Sequence, residues 1–237
     1  MIILIFFIYL SSLQGQTNPF DISETLHYKA SFANLQAAHA SLKVIKKDTI
    51  HNAIAYHVQF IARTVGFANY LFPINDKIDL WLDQNSLLPL KIKSSIEEGN
   101  YKHNRDIELY QNYGYAITEK DTITIEYPTH SPYSLFYFFR KQDFNKIQEK
   151  TIHTIQGAKK IDLKLKIEEN ILAAVPAGSF ICSKVTPSII NDKPFKNRAT
   201  ISILFSNDLN RYPVKIWFNL KYGSLVLELD QIINETI

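Results

Sequence analysis

The chain has 237 residues, with 26 Lys and Arg against 23 Asp and Glu, a formal charge of +3 and a sequence pI of about 8.7. That balance is too mild for a nucleic-acid protein, and the lysines alternate with acids and apolar residues instead of clustering into a stripe. A single cysteine, Cys182, excludes an internal disulfide, so the fold must rest on its core, which a chain of this length can supply as one domain.

Ile2 to Leu10 is an unbroken apolar run followed by Ser11, Ser12, Leu13, Gln14, Gly15 and Gln16. It is too short for a membrane span of roughly 20 residues and suits a secretory signal. No Lys or Arg precedes it, and the small-residue cleavage rule is met only by Gly15 with Leu13 two positions before. The expectation is a signal peptide over 1–16, cleaved near Gly15 or Gln16, ahead of a single β-rich domain over 17–237. The competing reading is an apolar first strand. No Cys follows the run, which excludes the lipid attachment of a bacterial lipoprotein and leaves the periplasm or secretion as the address.

Strand candidates then follow one another, each alternating apolar and polar residues with period two, the mark of one buried face. Leu26, Tyr28, Ala30 and Phe32 form the first, and Ala38, Ala40, Leu42 and Val44 the next. Tyr56, Val58, Phe60 and Ala62 follow, then Ile78, Leu80 and Leu82 leading through a polar turn into Leu88, Leu90 and Ile92. Ile107 and Leu109 precede a break at Tyr113-Gly114, and Lys120-Asp121 separates Tyr115 and Ile117 from Ile123, Ile125 and Tyr127. In the second half Ile161, Leu163, Leu165 and Ile167 alternate with charges; 180–185, 199–205, 214–220 and 225–229 complete about a dozen strands. Short runs with such breaks favour antiparallel hairpins.

One segment departs from the pattern. Ser131 as N-cap and Pro132 at the first helical position open a helix through Arg140-Lys141, whose cations suit a C-terminus. Spacing puts Leu135, Phe138 and Phe139 on one side and Tyr133, Phe136 and Tyr137 on another. A short helix apolar nearly all round must be buried, so it plugs the concave face of a curved sheet. Tyr133, Phe136, Tyr137 and Phe139 are the candidate ligand-binding residues, although core packing alone asks for the same rings.

No constellation names a reaction. There is no glycine-rich phosphate loop, no GxSxG elbow and no HExxH, and the seven histidines fall singly, with His27, His39 and His57 on the polar phase of strands. The adjacent pairs Glu97-Glu98 and Glu168-Glu169 point to opposite faces within a strand. Asp208 and Arg211 read as turn chemistry before Pro213, and Cys182 as a small buried hydrophobe. No catalytic residue, metal site or cofactor is expected.

The segment Ser131-Pro132-Tyr133-Ser134-Leu135-Phe136-Tyr137-Phe138-Phe139-Arg140 resembles the D-P-L-S-A-L-Y-Y-L-R stretch of the exported bacterial domain-of-unknown-function family 3108. Val175-Pro176-Ala177-Gly178-Ser179-Phe180 with Val185-Thr186-Pro187, the hairpin from Ser206-Asn207-Asp208 through Arg211-Tyr212-Pro213-Val214 and Gly223-Ser224 to Leu229, and the opening Glu24, Leu26, Tyr28 are similar to further segments of it. Where the family usually has Gly, this chain has Ala38, and where it has Asp, His130 or Ser131. The resemblance implies export and a β architecture, and it implies no catalytic residues.

The fold expected is all-β: a strongly curved antiparallel sheet or barrel-like single domain with one short aromatic helix inserted. The function expected is a non-catalytic envelope protein that binds an apolar or amphipathic, lipid-like ligand or an envelope partner on its concave face. An envelope hydrolase and an outer-membrane barrel are the alternatives. The mid-chain helix and the polar end Asn234-Glu235-Thr236-Ile237 argue against the barrel, and nothing after the signal is expected to span a membrane.

Overall fold

The computed structural model describes residues 18–147, 150–190, 200–220 and 223–234, so the expected signal over 1–16 lies outside it. Eight strands follow one another as a meander: β1 (Thr25–Phe32), β2 (Leu35–Ile50), β3 (Ala53–Thr64), β4 (Asn75–Asp83), β5 (Pro89–Glu98), β6 (Tyr101–Tyr110), β7 (Tyr115–Ile117) and β8 (Thr122–Thr124). The second half supplies β9 (Thr129–His130), β10 (Ile152–Gln156), β11 (Lys159–Val175), β12 (Gly178–Ile189), β13 (Thr200–Ser206), β14 (Pro213–Leu220) and β15 (Gly223–Ile233). All fifteen belong to one sheet, in the order β8 through β1, then β15 back to β9. Strands β1 and β15 pair at its centre, with Thr25 opposite Ile233 and Phe32 opposite Leu225. The alternation read in the sequence selects the inner face: Leu26, Tyr28, Val44, Val58, Leu80, Leu82, Leu109, Val185, Val214 and Leu229 are all buried.

Two features correct the expected pattern. The sheet is not wholly antiparallel, because β9 and β10 run parallel. Parallel neighbours need a crossover, and residues 131–151 provide it with α2 (Ser134–Arg140) and α3 (Phe144–Ile147). A further short helix, α1 (Gly66–Leu71), sits between β3 and β4. Strand β11 also continues well past the regular run to Ile167. A register shift between Glu168 and Ile171, with Asn170 at φ +58°, absorbs the interruption.

The sheet curls without closing, and the chain passes directly from one edge, β8, to the other, β9. Edges this short offer little unpaired backbone. Across the gap a buried side chain replaces the missing ladder. The Gln111 amide donates to the carbonyls of Thr129 (2.8 Å) and Pro89 (3.1 Å), and its oxygen accepts the Thr129 N–H at 3.2 Å.

Helix α2 fills the concave side and is locked by its last residue. Arg140 and Glu24 are exposed by only 1% and 3% and form a two-pronged pair, Nη1 to Oε1 at 2.6 Å and Nη2 to Oε2 at 2.8 Å. The same guanidinium donates from Nε to the Asn210 carbonyl (2.9 Å) and from Nη2 to that of Pro19 (2.6 Å), with the rings of Phe20 and Tyr212 against it. Burial opposes the charge, and the Glu24 hydrogen bonds more than offset it, so the arginine pKa is raised. Glu24→Ala leaves a buried cation unpaired and should lose about 3–5 kcal/mol in urea unfolding, whereas Glu24→Leu combined with Arg140→Met should recover much of that. A loss from Glu24→Ala below about 1 kcal/mol would place the pair among surface ion pairs and refute its role as the lock.

Candidate functional site

The helix opens with reciprocal caps: Ser131 Oγ accepts the Ser134 N–H at 3.0 Å and Ser134 Oγ accepts the Ser131 N–H at 2.8 Å. Pro132 and Tyr133 form the lead-in turn, so the regular helix starts two residues later than the sequence indicates. Of the four expected ligand-binding rings, Tyr137 and Phe139 are fully buried. Tyr137 meets Phe20 edge-on (5.1 Å) and Phe139 meets Phe205 (5.9 Å), which makes both part of the packed core. Tyr133 and Phe136 are half-buried and converge on Phe60, with centroids 5.3 and 5.7 Å away. Phe138, expected to share a face with Leu135, instead packs half-buried against His130 at 4.2 Å.

Beyond Tyr133 the inner face turns polar. Asp76 shares the inward phase of Ile78, Leu80 and Leu82, Glu98 that of Ile92 and Ile96, and Arg105 that of Ile107 and Leu109. Burial first, then the Glu98 and Glu97 carboxylates, raises the Asp76 pKa to about 6, against a hydrogen bond that Asp76 Oδ1 accepts from the Glu97 N–H at 2.9 Å. Burial also pushes the Tyr133 hydroxyl up to about 12, helped by Asp76 and Glu98 and opposed by Arg105. Tyr133 thus links the aromatic helix to a cluster of acids and a cation. A charge on the apolar phase of a strand was the sequence signal for Asp76, Glu98 and Arg105.

Arg105 stands where the two edges of the sheet fail to meet. An open cleft of about 510 Å³ lies between the β7–β8 turn and the β10–β11 turn, with His103, Arg105, Lys120 and Lys159 among its walls beside Glu119 and Asp121. Behind it a smaller cavity of about 50 Å³ is walled by Ile92, Ile96, Ile107, Ile155 and Tyr133, again with Arg105. Gly157 supplies the left-handed backbone of the β10–β11 turn, at φ +62°, and lies in contact range of the Arg105 guanidinium. None of the ion pairs among the described residues includes Arg105. The inner cavity has room for a water or two and no more, so a large ligand would seat in the cleft, not inside the sheet.

The remaining candidates fall elsewhere. His57 is not simply solvated: it stacks flat on Trp81 (4.5 Å) and meets Asp79 at 2.9 Å. His130 is buried, and that burial drives its pKa down to about 3, so it is neutral. His153 Nδ1 lies 3.1 Å from Glu126 and 2.9 Å from Asp162, a grouping of three metal-ligand types on the outside that hydrogen bonding to the ring accounts for. Asp208 caps its own turn, accepting from the N–H groups of Asn210 and Arg211. Cys182 is buried, which raises its pKa to about 11 and leaves an unreactive thiol.

A family model described as a protein of unknown function, DUF3108, matches residues 26–230. The chain belongs to that family. The DUF3108 description assigns no activity, and no curated protein matches the chain. Among solved structures, a beta-barrel-like protein of the domain of unknown function DUF1849 from Brucella abortus superposes with a TM-score of 0.58 at 10% identity, covering 91% of this chain and 98% of that one. That likeness shows the fold alone. A candidate lipoprotein from Parabacteroides distasonis (TM-score 0.40, 11% identity, 92% and 99% covered) and a candidate exported protein with a YmcC-like fold from Bacteroides fragilis (0.44, 9%, 92% and 99%) are more distant. In this DUF3108 chain the Glu24–Arg140 ion pair has the Tyr212 ring against it, and Arg140 and Tyr212 lie within the matched residues.

The polar cluster should be visible in the pH dependence of stability. An aspartate with a raised pKa keeps its proton longer folded than unfolded, so its contribution is greatest at low pH and is lost as pH rises from about 4 towards 6. Asp76→Asn retains an oxygen for the Glu97 N–H and should flatten that part of a melting-temperature profile while raising stability at neutral pH. An unchanged slope would dissociate Asp76 from the effect. Among the rings, Phe139→Ala should cost about 3–5 kcal/mol, the usual loss from emptying a large buried site, and Phe136→Ala distinctly less. Equal losses in chemical denaturation would make both rings core.

Proposed function

We propose that this DUF3108 protein is a non-catalytic protein of the cell envelope that binds an anionic amphiphile at the unclosed seam. The observation that carries this reading is Arg105: a half-buried guanidinium with no ion-pair partner among the described residues, between an open cleft and an apolar-walled cavity. An acidic head group would engage Arg105, with Lys120 and Lys159 at the rim. Its chain would lie along the cleft, against Gln156, Gly157 and Ala158. The apolar N-terminal run supports export to the periplasm or beyond, and one sheet holding all fifteen strands supports a single domain after it. Among the described residues no helix is long and apolar enough to cross a membrane.

A second reading, hydrolysis, draws on Asp76 alone, since a carboxyl held near pH 6 beside another has the proton affinity of a general acid–base group. The binding reading is tested by stabilisation. Oleate and dodecyl phosphate should raise the melting temperature of the wild type by linkage, and Arg105→Ala should lose most of that rise while remaining folded. Mass spectrometry of lipid extracted from natively purified protein identifies what is carried. No rise with either amphiphile, or an equal rise in Arg105→Ala, would refute the seam as a binding site.

A further inference from the structure

Among the described residues, the loop from β3 to β4 carries a concentration of exposed apolar side chains. Phe67 is 74% exposed, Tyr70 84%, Leu71 64% and Phe72 52%, and Leu35 in the neighbouring β1–β2 hairpin is 74% exposed. Helix α1 buries none of its residues. Contiguous apolar surface of this kind is uncommon on a soluble monomer and marks an interaction site.

The loop is nevertheless firmly built. Several of its backbone amides are paired: the Val65 N–H donates to the Ala37 carbonyl of β2 (2.9 Å), the Phe72 N–H to that of Ala68 (2.9 Å), and the Ile74 N–H to Thr64 Oγ1 (2.8 Å). Thr64 Oγ1 in turn donates to Asn69 Oδ1 at 2.9 Å, and the Gly99 N–H to the Pro73 carbonyl at 2.7 Å. Phe72 lies over Gly99, where an added Cβ would come within 3.0 Å of the ring. The amides of Val65, Asn69, Phe72 and Ile74 are paired, so much of what the loop presents outward is side chain.

The charges select the medium. From Val65 to Asn75 there is no charged residue, while exposed cations flank the stretch, Arg63 before it, bonded to the Asn75 side chain, and Lys77 after it, paired with Asp79 yet about half exposed. The neighbouring Glu97 is engaged by Lys102 and Asn75. Aromatic and leucine side chains between cations fit the boundary of an anionic bilayer, where rings sit at head-group level and Lys and Arg meet lipid phosphates. We infer that the α1 loop, with Leu35, is a docking tip for an anionic lipid surface. This goes beyond ligand binding and does not require it, because docking is read at Phe67 and Tyr70 and ligand binding at Arg105. Both lie towards the end of the sheet where β3 ends and β6 begins, so docking would hold the seam cleft near the membrane.

The test is flotation of the mature protein with phosphatidylethanolamine–phosphatidylglycerol vesicles, beside vesicles of phosphatidylcholine alone. The wild type should float with the anionic vesicles, less so as salt is raised and less with phosphatidylcholine. Phe67→Ser with Tyr70→Ser, at two exposed positions, should keep the wild-type melting temperature and bind at least about tenfold more weakly. A wild type that stays with neither vesicle, or a variant that floats equally well, overturns the inference. So does light scattering that shows a dimer dissolved by the same two substitutions, because the tip would then be covered by a second copy.

Discussion

Arg140 carries a charge inside the molecule, and the arrangement of the concave side follows from what that charge requires. An isolated guanidinium could not be buried there at tolerable cost; paired with Glu24 and with two carbonyls taking further N–H groups, it can. Those partners come from the approach to β1 and from the β13–β14 turn, so one side chain at the end of α2 ties the middle of the chain to segments near both of its ends. The rings of Phe20, Tyr137 and Tyr212 exclude water around it. With the helix held at this end, its first turn is directed at the seam, and Tyr133 reaches the acids of β4 and β5.

The seam has its own logic. A barrel abolishes edges by completing the ladder. Here the edges are two and three residues long, and Gln111 does for Thr129 what a neighbouring peptide group would do. Closure by a side chain joins the two arms at one level and leaves them apart at another. The gap beside Arg105 and Gly157 is the result. The polar character of the cleft and its position both arise from the incomplete pairing.

Much of the fold was legible because period-two alternation is a local signal. Val214 and Ile216, or Leu163 and Leu165, declare their face without reference to anything distant, and they are buried as read. The aromatic helix was legible for a similar reason, since Ser131 and Pro132 announce it. Its roll was not: Tyr137 rather than Phe138 is fully buried, and that depends on Phe20 and Phe60, far away in sequence. Partnerships across the sheet were equally invisible. Glu98 was weighed only against its neighbour Glu97, whereas the carboxyl it faces is Asp76 on the next strand. Helix α1 escaped notice because an apolar run that stays exposed looks, in sequence, like one that is buried. His57 was placed correctly on the outer face, where stacking on Trp81 half-covers it.

The position of β15 sets an order of events. Most neighbouring strands of the sheet pair through hairpins formed from adjacent sequence, but β1 and β15 join residues 25 and 233 at its centre. Loop closure over that span is costly and comes before any return in contacts, so the central pairing is a late step. Until it forms, β1 has only β2 beside it and each arm is a ribbon with a raw edge. A chain whose N-terminal part is made first lacks, until residues 223–233 arrive, the strand that joins its halves. The same connectivity that makes the finished sheet continuous therefore leaves its two arms apart until β15 is available.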